Sequence, residues 1–278
     1  MNVAAIWEHY EPTLRDRPSH KVRQYYWNVL EKTFGLKHYS SITEATTKQY
    51  VAKRKPHVSA STVWAELSLL RTMLNWAVRK KLIPAFSFEV YLPTPSPPRE
   101  QRLTREEFQK LLDNCISPHT KLLCIILIST GCRVGAALDL TWDRVNFELG
   151  VIDLRIVTDG DRSRKGRAVV PMTKALRTAL LEAKAKAKTN YVVEYAGQRV
   201  RDAYNGFKRA AVAAGIPWAH PHIIRHTAAT WMAEANVPMS EIARYLGHSD
   251  SIITERVYAK YSPAYLKKAS EALEIDLT

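Results

Sequence analysis

Apolar side chains recur at helical spacing along most of this chain. The clearest run lies in residues 60–81, where apolar positions follow one another at steps of three and four: Val63, Leu67, Leu70, Leu74 and Val78. Ser59 or Ser61 can cap the start of this helix, and the basic run 79–81 favours its end. Similar patterns predict three further helices, near residues 2–15, 20–34 and 42–54. Residues 1–89 are therefore predicted to form a small helical domain.

Helical patterns resume after residue 103. Thr104 and Glu107 have the spacing of a capping box, which predicts a helix that begins there and runs to Asn114. The apolar run 119–129 predicts a buried helix that is closed by Gly131. Five more helices are predicted farther along the chain, near residues 173–188, 198–214, 221–235, 239–246 and 250–273.

Two short segments have β character instead. V-I-D-L-R-I-V at 151–157 and R-A-V-V-P-M at 167–172 are rich in β-branched residues. The polar turn T-D-G-D-R-S-R-K-G separates them. The predicted fold class is therefore mainly α with a small antiparallel β-sheet.

Four prolines within residues 90–98 interrupt both patterns. Proline lacks an amide donor and restricts the residue before it to extended conformations, so an extended linker is predicted. The domain boundaries that follow are a helical domain at 1–89, a proline-rich linker at 90–103 and a second domain at 104–278.

Basic residues exceed acidic ones in both parts of the chain. The formal net charge is +14, and residues 1–98 contain 14 Lys and Arg against 7 Asp and Glu. About half of the excess therefore lies in each part, which favours two surfaces that meet one polyanion. A soluble enzyme that is merely basic is the alternative, because charge alone does not identify a partner.

The cysteines and the chain's start bear on its compartment. Cys115, Cys124 and Cys132 contain no C-x-x-C pair, so buried free thiols in a reducing compartment are predicted and zinc binding is not. The first residues lack the pattern of a signal peptide, and no apolar run is long enough to span a bilayer. We therefore predict a soluble, cytoplasmic protein without a cofactor or a bound metal.

Several side chains in the second domain could act together on a phosphodiester. His222, Arg225 and His226 lie at i, i+3 and i+4 of one predicted helix. Arg133 follows Gly131 at a helix end, and Tyr258 could supply an oxygen nucleophile. Together they offer an oxyanion clamp, proton-transfer groups and a nucleophile.

Each of these residues also has a structural interpretation. A histidine and an arginine on one helix are commonly a cap and an ion pair, and Arg133 could complement a helix dipole. Lys165 in the polar turn could be a solvated charge, and His248 could cap the helix that ends at L-G. Tyrosines on helices such as that of Tyr258 are usually half-buried packing residues.

The order of these residues resembles that of the tyrosine recombinase (phage integrase) family. The order is an arginine in T-G-C-R, a β-turn lysine, H-x-x-R, L-G-H and then a tyrosine, and it covers roughly residues 100–265. The resemblance implies an α+β tyrosine recombinase catalytic domain. The N-terminal part, with S-T-V-W-A-E-L-S-L-L-R, is similar to the family's helical core-binding domain.

The resemblance assigns catalytic roles to six residues, listed here in chain order: Arg133, Lys165, His222, Arg225, His248 and Tyr258. The two arginines would hold the non-bridging phosphate oxygens and Tyr258 would attack phosphorus. His222 would assist proton transfer and His248 would hydrogen-bond the phosphate. Lys165 would protonate the leaving 5′ oxygen. His226 matches a frequent extension of the family motif and is expected to have a supporting role.

The chain departs from the family pattern near two of these residues. Lys165 lies six residues before Pro171 where eight is common, and Ser163 occupies the usual spacing between Arg162 and Arg164. Ala136 stands where members often carry an acid three residues after the first arginine.

The tyrosine spacing also differs. Members usually place the nucleophile nine residues after L-G-H, a position that is Val257 here, whereas Tyr258 is the tenth residue. Tyr261 is the alternative nucleophile, and the turn-like sequence Ser262-Pro263 directly after it favours Tyr258.

The resemblance implies a site-specific recombinase that cuts and rejoins duplex DNA through a 3′-phosphotyrosyl bond, without metal or ATP. Implied partners are duplex DNA, three further copies in a synaptic homotetramer, and accessory DNA-bending or directionality proteins, with no membrane. The location is then the cytoplasm of a bacterial host. A type IB topoisomerase-like enzyme and a non-catalytic DNA-binding protein are the alternatives, and Tyr258→Phe separates an enzyme from a binding protein.

Overall fold

The chain divides into two compact units, each with its own apolar core. The computed structural model describes residues 1–85, 89–97, 101–155, 168–248, 250–264, 267 and 270. The first unit is Met1–Arg99 and the second is Glu100–Thr278. The described part is mostly helical with two small antiparallel sheets, which confirms the predicted fold class.

The first unit consists of four helices, as the apolar spacing predicts: α1 (Val3–Tyr10), α2 (His20–Phe34), α3 (Glu44–Arg54) and α4 (Ala60–Arg79). The Ser59 hydroxyl accepts a hydrogen bond from the amide of Thr62 and so caps α4. The predicted first helix is interrupted because Pro12 lies in a 3-10 turn at Glu11–Leu14. The core of this unit includes Ile6, Leu14, Leu30, Phe34, Leu67, Leu70, Met73 and Leu74.

One carboxylate lies inside this helical core. Glu66 is fully buried on α4, and Arg54 on α3 donates to it with 2.8 Å between Nη2 and Oε1. The Tyr50 hydroxyl donates to the other carboxylate oxygen at 2.7 Å. Burial and the neighbouring carboxylate raise the pKa of Tyr50. A paired and hydrogen-bonded charge is the form in which a carboxylate is tolerated in a core.

The described part of the proline-rich segment lies along the first unit. The amide of Tyr91 donates to Thr47 Oγ1, and the amide of Ser96 donates to Ser61 Oγ, each at 3.0 Å. Val90 and Leu92 pack against the helical core. The described residues 89–97 form neither helix nor strand, and two of their amides are hydrogen-bonded to the helical unit.

The second unit is built around one buried helix. Its helices are α5 (Arg105–Asp113), α6 (Pro118–Thr130), α7 (Val134–Leu138), α8 (Lys174–Ala185), α9 (Tyr204–Ala213), α10 (Pro221–Glu234), α11 (Met239–Leu246) and α12 (Ser251–Tyr258). The capping box of Thr104 and Glu107 begins α5, as predicted. The apolar helix α6 packs against α10 and α8 and ends at Gly131, whose φ is 58°.

A three-stranded antiparallel sheet lies beside these helices, with strands β1 (Val145–Asn146), β2 (Val151–Asp153) and β3 (Val169–Pro171). Ile152 is paired with Val170, and both are buried. A hairpin of β4 (Glu194–Tyr195) and β5 (Gln198–Arg199) turns at Gly197, whose φ is 72°. The sequence predicted a helix at 198–214. Because the hairpin occupies the first residues of that range, the observed helix α9 begins at Tyr204.

The predicted helix at 250–273 is wrong as a single helix. The α-helix α12 ends at Tyr258, and a 3-10 turn follows at Ala259–Tyr261. Ser262 then has an extended backbone because Pro263 excludes the helical conformation at the residue before it. None of the described helices has the length and apolar character needed to cross a membrane.

Candidate active site

Arg225 occupies the centre of the candidate site. It lies in the second turn of α10 and is 4% exposed. Its Nη1 donates to the carbonyl oxygen of Gly131 at 2.7 Å and to that of Leu246 at 3.0 Å. Its Nη2 lies 2.8 Å from Nε2 of His248. One guanidinium on α10 therefore joins the end of α6 to the end of α11 and the residues directly after it.

The two carbonyl oxygens that hold Arg225 both belong to helix C-termini. Gly131 follows α6, and Leu246 is the last residue of α11. The last carbonyls of a helix lack intrahelical partners and carry the negative end of its dipole. These ends stabilise a buried cation without a carboxylate, and the glycines of T-G and L-G allow both helices to end there.

Gly131 is required at its position for two reasons. Its φ of 58° is left-handed, where a side chain is strained, and a Cβ atom would lie 2.6 Å from Cδ2 of Leu246. Any larger residue would therefore disturb both helix ends that hold the Arg225 guanidinium.

Within the part of the chain that the structure describes, the buried guanidinium keeps an uncompensated positive charge. No carboxylate among the described residues forms an ion pair with Arg225. Burial, and then the charge of Arg133, lower the pKa of Arg225 to about 10. The side chain is still protonated at neutral pH. An anion that entered the site would therefore meet a fixed cation in a medium of low polarity, where charge interactions are strong.

His248 accepts from one neighbour and donates to another. Because Arg225 has only donors, Nε2 of His248 must be the acceptor, and Nδ1 then carries the proton toward Thr254 Oγ1 at 2.7 Å. Burial and the charges of Arg225 and Arg133 lower the pKa of His248 to about 4. The ring is therefore neutral at pH 7, with its tautomer set by its two partners.

Tyr258 is a buried side chain at the end of α12. It is 8% exposed and packs with Ala229, Ala233, Ile242 and Leu246. Burial raises the pKa of its phenol, and the charge of Arg225 acts in the opposite direction. Its hydroxyl lies 3.2 Å from Nδ1 of His226. The candidate nucleophile and the candidate clamp are thus electrostatically coupled.

Arg133 is placed at the same cleft by the end of α6. It is the N-cap residue of α7, two residues after Gly131, and it is half-buried. It lines a small cavity together with Arg225, and the remaining lining residues are Cys132, Ala136, Leu154, Ala168, Tyr245 and Leu246. The two arginines predicted to form a clamp therefore share one cavity.

Two of the predicted residues remain, His222 and Lys165. His222 lies on the exposed first turn of α10, and its ring is parallel to that of His220 with 6.5 Å between centroids. Lys165 and its neighbours Arg162, Ser163 and Arg164 lie outside the described residues.

The structure adds two residues that sequence reasoning missed. Thr254 is fully buried and fixes the His248 ring. It lies four residues before Tyr258 on α12, and this i, i+4 spacing was the available signal. The Tyr245 hydroxyl donates to the carbonyl of Ser129 at 2.7 Å beside the same cavity. No pattern in the sequence distinguishes Tyr245 from other tyrosines.

Metal-ligating side chains are not grouped in the described part of the chain, where no three His, Cys, Asp or Glu residues could hold one ion. Cys124 and Cys132 are buried and Cys115 is half-buried, as free thiols. The site is thus a pair of arginines with histidines and a tyrosine, a set suited to binding and attacking a phosphodiester.

Comparisons with known proteins identify the family of this chain. The sequence profile of the phage integrase family matches residues 101–264. The tyrosine recombinase XerA of Thermococcus kodakarensis is 32% identical over 197 residues, which cover 66% of this chain and 67% of that protein. This chain spans about two thirds of the length of the relatives that it matches first.

Two solved structures are similar along nearly the whole chain. The integrase of transposon Tn1549 in complex with transposon right-end DNA has a TM-score of 0.80 and 19% identity, over 98% of this chain and 99% of that one. A λ integrase tetramer bound to a Holliday junction has a TM-score of 0.78 and 16% identity, over 100% of this chain and 81% of that one. At these identities the likeness establishes the fold.

Proposed function

The chain belongs to the phage integrase family, and on that premise we propose that it is a site-specific tyrosine recombinase that cuts and rejoins duplex DNA through a 3′-phosphotyrosyl intermediate. The observation that carries the proposal is the buried Arg225 guanidinium, which forms no ion pair with any described carboxylate and whose charge acts on the Tyr258 phenol. A core without a function for that charge would be expected to pair it with a carboxylate.

Arg225 and Arg133 bind the non-bridging oxygens of the scissile phosphate in this mechanism. Both side chains line one cavity. The positive charge of each also lowers the pKa of His248. Negative charge on these oxygens grows as the tyrosine attacks, so fixed guanidinium donors stabilise the transition state more than the ground state. The arginines thereby supply the charge that divalent metals supply in other phosphoryl-transfer enzymes.

Tyr258 acts as the nucleophile. Its oxygen forms a bond to phosphorus and the bond from phosphorus to the 5′ oxygen breaks, so that one phosphodiester is exchanged for another. Because the phosphotyrosyl bond keeps the energy of the original linkage, the 5′ hydroxyl of another strand can reverse the reaction without ATP.

The remaining roles follow the family motif except at His248. His248 is neutral and orients Arg225. Because its Nε2 accepts from Arg225 and its Nδ1 donates to Thr254, the ring has no donor left for a phosphate, so we assign it the positioning of Arg225 in place of the hydrogen bond to phosphate that the family motif implies. His222 lies at the exposed start of α10, from which it assists proton transfer at the DNA surface. Lys165 protonates the 5′ oxygen as it leaves.

The nucleophile can be tested with a trapped intermediate. Tyr258→Phe protein, which retains the clamp, is used to select a binding site from a library of random duplexes. A nicked duplex with that site is then incubated with wild-type protein, so that the cleaved strand end diffuses away. We expect one covalent adduct, and peptide mapping should locate it at Tyr258. Tyr261→Phe is the matched control and should form the adduct. Attachment at Tyr261 contradicts the assignment, and absence of any adduct contradicts the enzymatic function.

The role of Lys165 can be tested by changing the leaving group. Lys165→Ala should slow cleavage of ordinary DNA, because a 5′ alkoxide is a poor leaving group. A substrate with sulfur in place of the bridging 5′ oxygen expels a thiolate, which needs no added proton, so its cleavage should be restored. Arg225→Ala should not be rescued, because its defect is in charge stabilisation. The same two substrates also test whether Arg162 or Arg164 is the general acid. Wild-type rates for Lys165→Ala on both substrates would exclude lysine as the acid.

The partners are proposed from charge and family. Duplex DNA is the substrate, and the spread of basic residues over both units predicts affinity that falls steeply with salt through counterion release. We propose a homotetramer in the synaptic complex, with accessory DNA-bending or directionality proteins as further partners, acting in the bacterial cytoplasm. Exchange between two separate labelled duplexes supports a recombinase, whereas religation of the same strand alone would support a type IB topoisomerase-like activity.

A further inference from the structure

The hydroxyl of the proposed nucleophile is in contact with a histidine outside the six assigned positions. Nδ1 of His226 lies 3.2 Å from the oxygen of Tyr258, within reach of a hydrogen bond. The two rings have centroids 5.2 Å apart and planes inclined by 40°. His226 directly follows Arg225 on α10, so one helix turn carries both the cation of the clamp and the partner of the tyrosine.

We propose that His226 is a catalytic residue, the base that accepts the phenolic proton of Tyr258 as it attacks. This proposal rests on the proposed function and names one further residue in the same site. In the step, the bond between oxygen and hydrogen of Tyr258 breaks and its proton binds Nδ1 of His226. The phenolate oxygen forms its bond to phosphorus while the bond to the 5′ oxygen breaks. When a 5′ hydroxyl reverses the reaction, His226 returns the proton to the phenolate.

A base is needed because the phenol rarely ionises unaided. An ordinary tyrosine has a pKa near 10, so about 0.1% is ionised at pH 7, and burial of Tyr258 lowers this fraction further. An imidazole titrates close to neutral pH and is matched to accepting a proton there.

Other groups near the hydroxyl are less suited to this role. Arg225 has no lone pair to accept a proton. Both nitrogens of His248 are engaged, one by Arg225 and the other by Thr254. His222 lies at the exposed start of α10, one turn before His226.

Two aromatic rings lie near the His226 ring, that of Tyr258 on α12 and that of Tyr261 in the 3-10 turn after it. From the chain after α12, the Tyr261 ring meets it edge-on at 6.4 Å between centroids. Arg102 lies over that tyrosine ring at 4.9 Å and forms an ion pair with Glu234 at 3.0 Å. Among the contacts given by the described residues, the titratable groups that meet the His226 ring are Tyr258 and Tyr261, and the charged pair of Arg102 and Glu234 lies behind Tyr261.

The test uses the full-length protein and the nicked duplex selected with the Tyr258→Phe protein. His226→Ala should reduce the single-turnover cleavage rate at pH 7 by about 100- to 10,000-fold, the range that a general base contributes. His226→Asn is the matched control for position, because its amide can occupy the place of Nδ1 and hydrogen-bond the phenol but cannot accept a proton. We expect His226→Asn to be nearly as slow as His226→Ala. Wild-type cleavage by His226→Asn would show that hydrogen bonding suffices and would overturn the proposal.

The pH profile gives a readout that a structural role does not change. Wild-type cleavage should rise with pH and level off once the imidazole is neutral. In both His226 variants the rate should instead keep rising about tenfold per pH unit, because hydroxide must now remove the proton. A plateau at the same pH in the variants and the wild type would contradict the role of His226.

Acidifying the phenol tests the same step from the other side. A ring-fluorinated tyrosine at position 258 loses its proton more easily, so it should restore cleavage in His226→Ala by at least about tenfold. Arg225→Lys should show no such rescue. Equal rescue of both variants would contradict a specific proton-transfer defect.

One measurement does not depend on variants or on DNA. Nitrogen-15 NMR of the wild-type protein reports which ring nitrogen of His226 carries the proton. We expect an unprotonated Nδ1 at pH 7.5, and a protonated Nδ1 would overturn the proposal even if every variant failed to fold. If the wild-type protein forms no adduct, the proposed function itself fails. If it forms the adduct and His226→Ala cleaves with an unchanged profile, only this inference fails.

Discussion

The two units of this protein each bury a charged side chain, and they hold it in opposite ways. Among the described residues the buried charges are Glu66 in the helical unit and Arg225 in the second unit. Glu66 is paired with Arg54 and accepts a hydrogen bond from Tyr50. Arg225 is bonded to two carbonyl oxygens and an imidazole, so the described residues solvate its positive charge and do not neutralise it.

The difference separates a charge used for structure from a charge used for chemistry. A paired ion exerts little field on its surroundings, and its removal affects folding. A cation that is held only by dipoles projects its field into the adjacent cavity, where it can stabilise an incoming phosphate. If the two clusters differ in this way, changes at Arg225 should reduce cleavage and changes at Glu66 should reduce stability.

Replacement of Arg225 by lysine should have the largest effect, and it should fall on cleavage. Lysine keeps the charge but loses the planar fork that reaches both helix ends and the phosphate. We expect single-turnover cleavage to fall by about 100- to 1,000-fold. The matched control is Arg54→Lys, which removes the fork from the other cluster and should leave cleavage by the folded protein unchanged. Equal losses in the two variants would remove the distinction between the clusters.

Glu66→Gln should affect stability and spare the chemistry. It leaves part of the Arg54 charge and the Tyr50 hydroxyl without their ionic partner, and we expect a loss of about 2 to 3 kcal/mol in the free energy of unfolding. Urea denaturation measures this loss. Glu44→Gln, which removes an exposed ion pair with Lys48, is the control and should cost less than about 0.5 kcal/mol. A cleavage defect in fully folded Glu66→Gln protein would contradict a purely structural role.

Gly131→Ala should disturb both stability and cleavage. The left-handed backbone costs about 1 kcal/mol with a side chain, and displacing the Leu246 side chain adds about 1 kcal/mol more. Because the Gly131 carbonyl holds Arg225, cleavage should fall about tenfold, equivalent to about 1.4 kcal/mol in the barrier. Gly150→Ala is the control, since its φ is 65° but nothing lies within 4 Å of its added Cβ. The Gly150→Ala protein should lose only the stability that the left-handed backbone costs, and it should cleave DNA at the wild-type rate.

Changes of pH should affect the two clusters on opposite sides of neutrality. The pKa of His248 is about 4 in the folded protein against an ordinary 6.5. The unfolded chain therefore binds a proton first, so the stability contributed by neutral His248 is complete above pH 6.5 and is lost as the pH falls toward 4. For Tyr50, whose pKa is raised above 10, the corresponding loss comes as the pH rises past 10.

The expected effect of His248 is on the order of 1 kcal/mol after allowance for solvent screening, the smallest of the four. Chemical denaturation at pH 7 and pH 5 measures it. His248→Gln should lose less stability than wild type between these two pH values, while Tyr50→Phe should match wild type there and differ only above pH 10. Identical pH slopes for His248→Gln and wild type would show that His248 is not the group responsible.

Much of this arrangement follows from the order of residues along the chain. Apolar spacing and capping residues were sufficient to locate α4, α5 and α6, because these features act within a few residues. The glycines of T-G-C-R and L-G-H marked the two helix ends for the same reason. The order of basic and aromatic residues also indicated the family, since each motif is short and local.

The tertiary structure decided how these local pieces meet. Nothing near Arg225 in the sequence indicates that its guanidinium binds the carbonyls of Gly131 and Leu246, which are 94 and 21 residues away. Helical spacing alone predicts that His222 and His226 lie on the same side of α10. Packing of α12 against α10 brings the tyrosine hydroxyl to His226. Local spacing determines which side chains a helix offers, whereas the burial of one helix against another determines which of them touch, and at this site the chemistry depends on that contact.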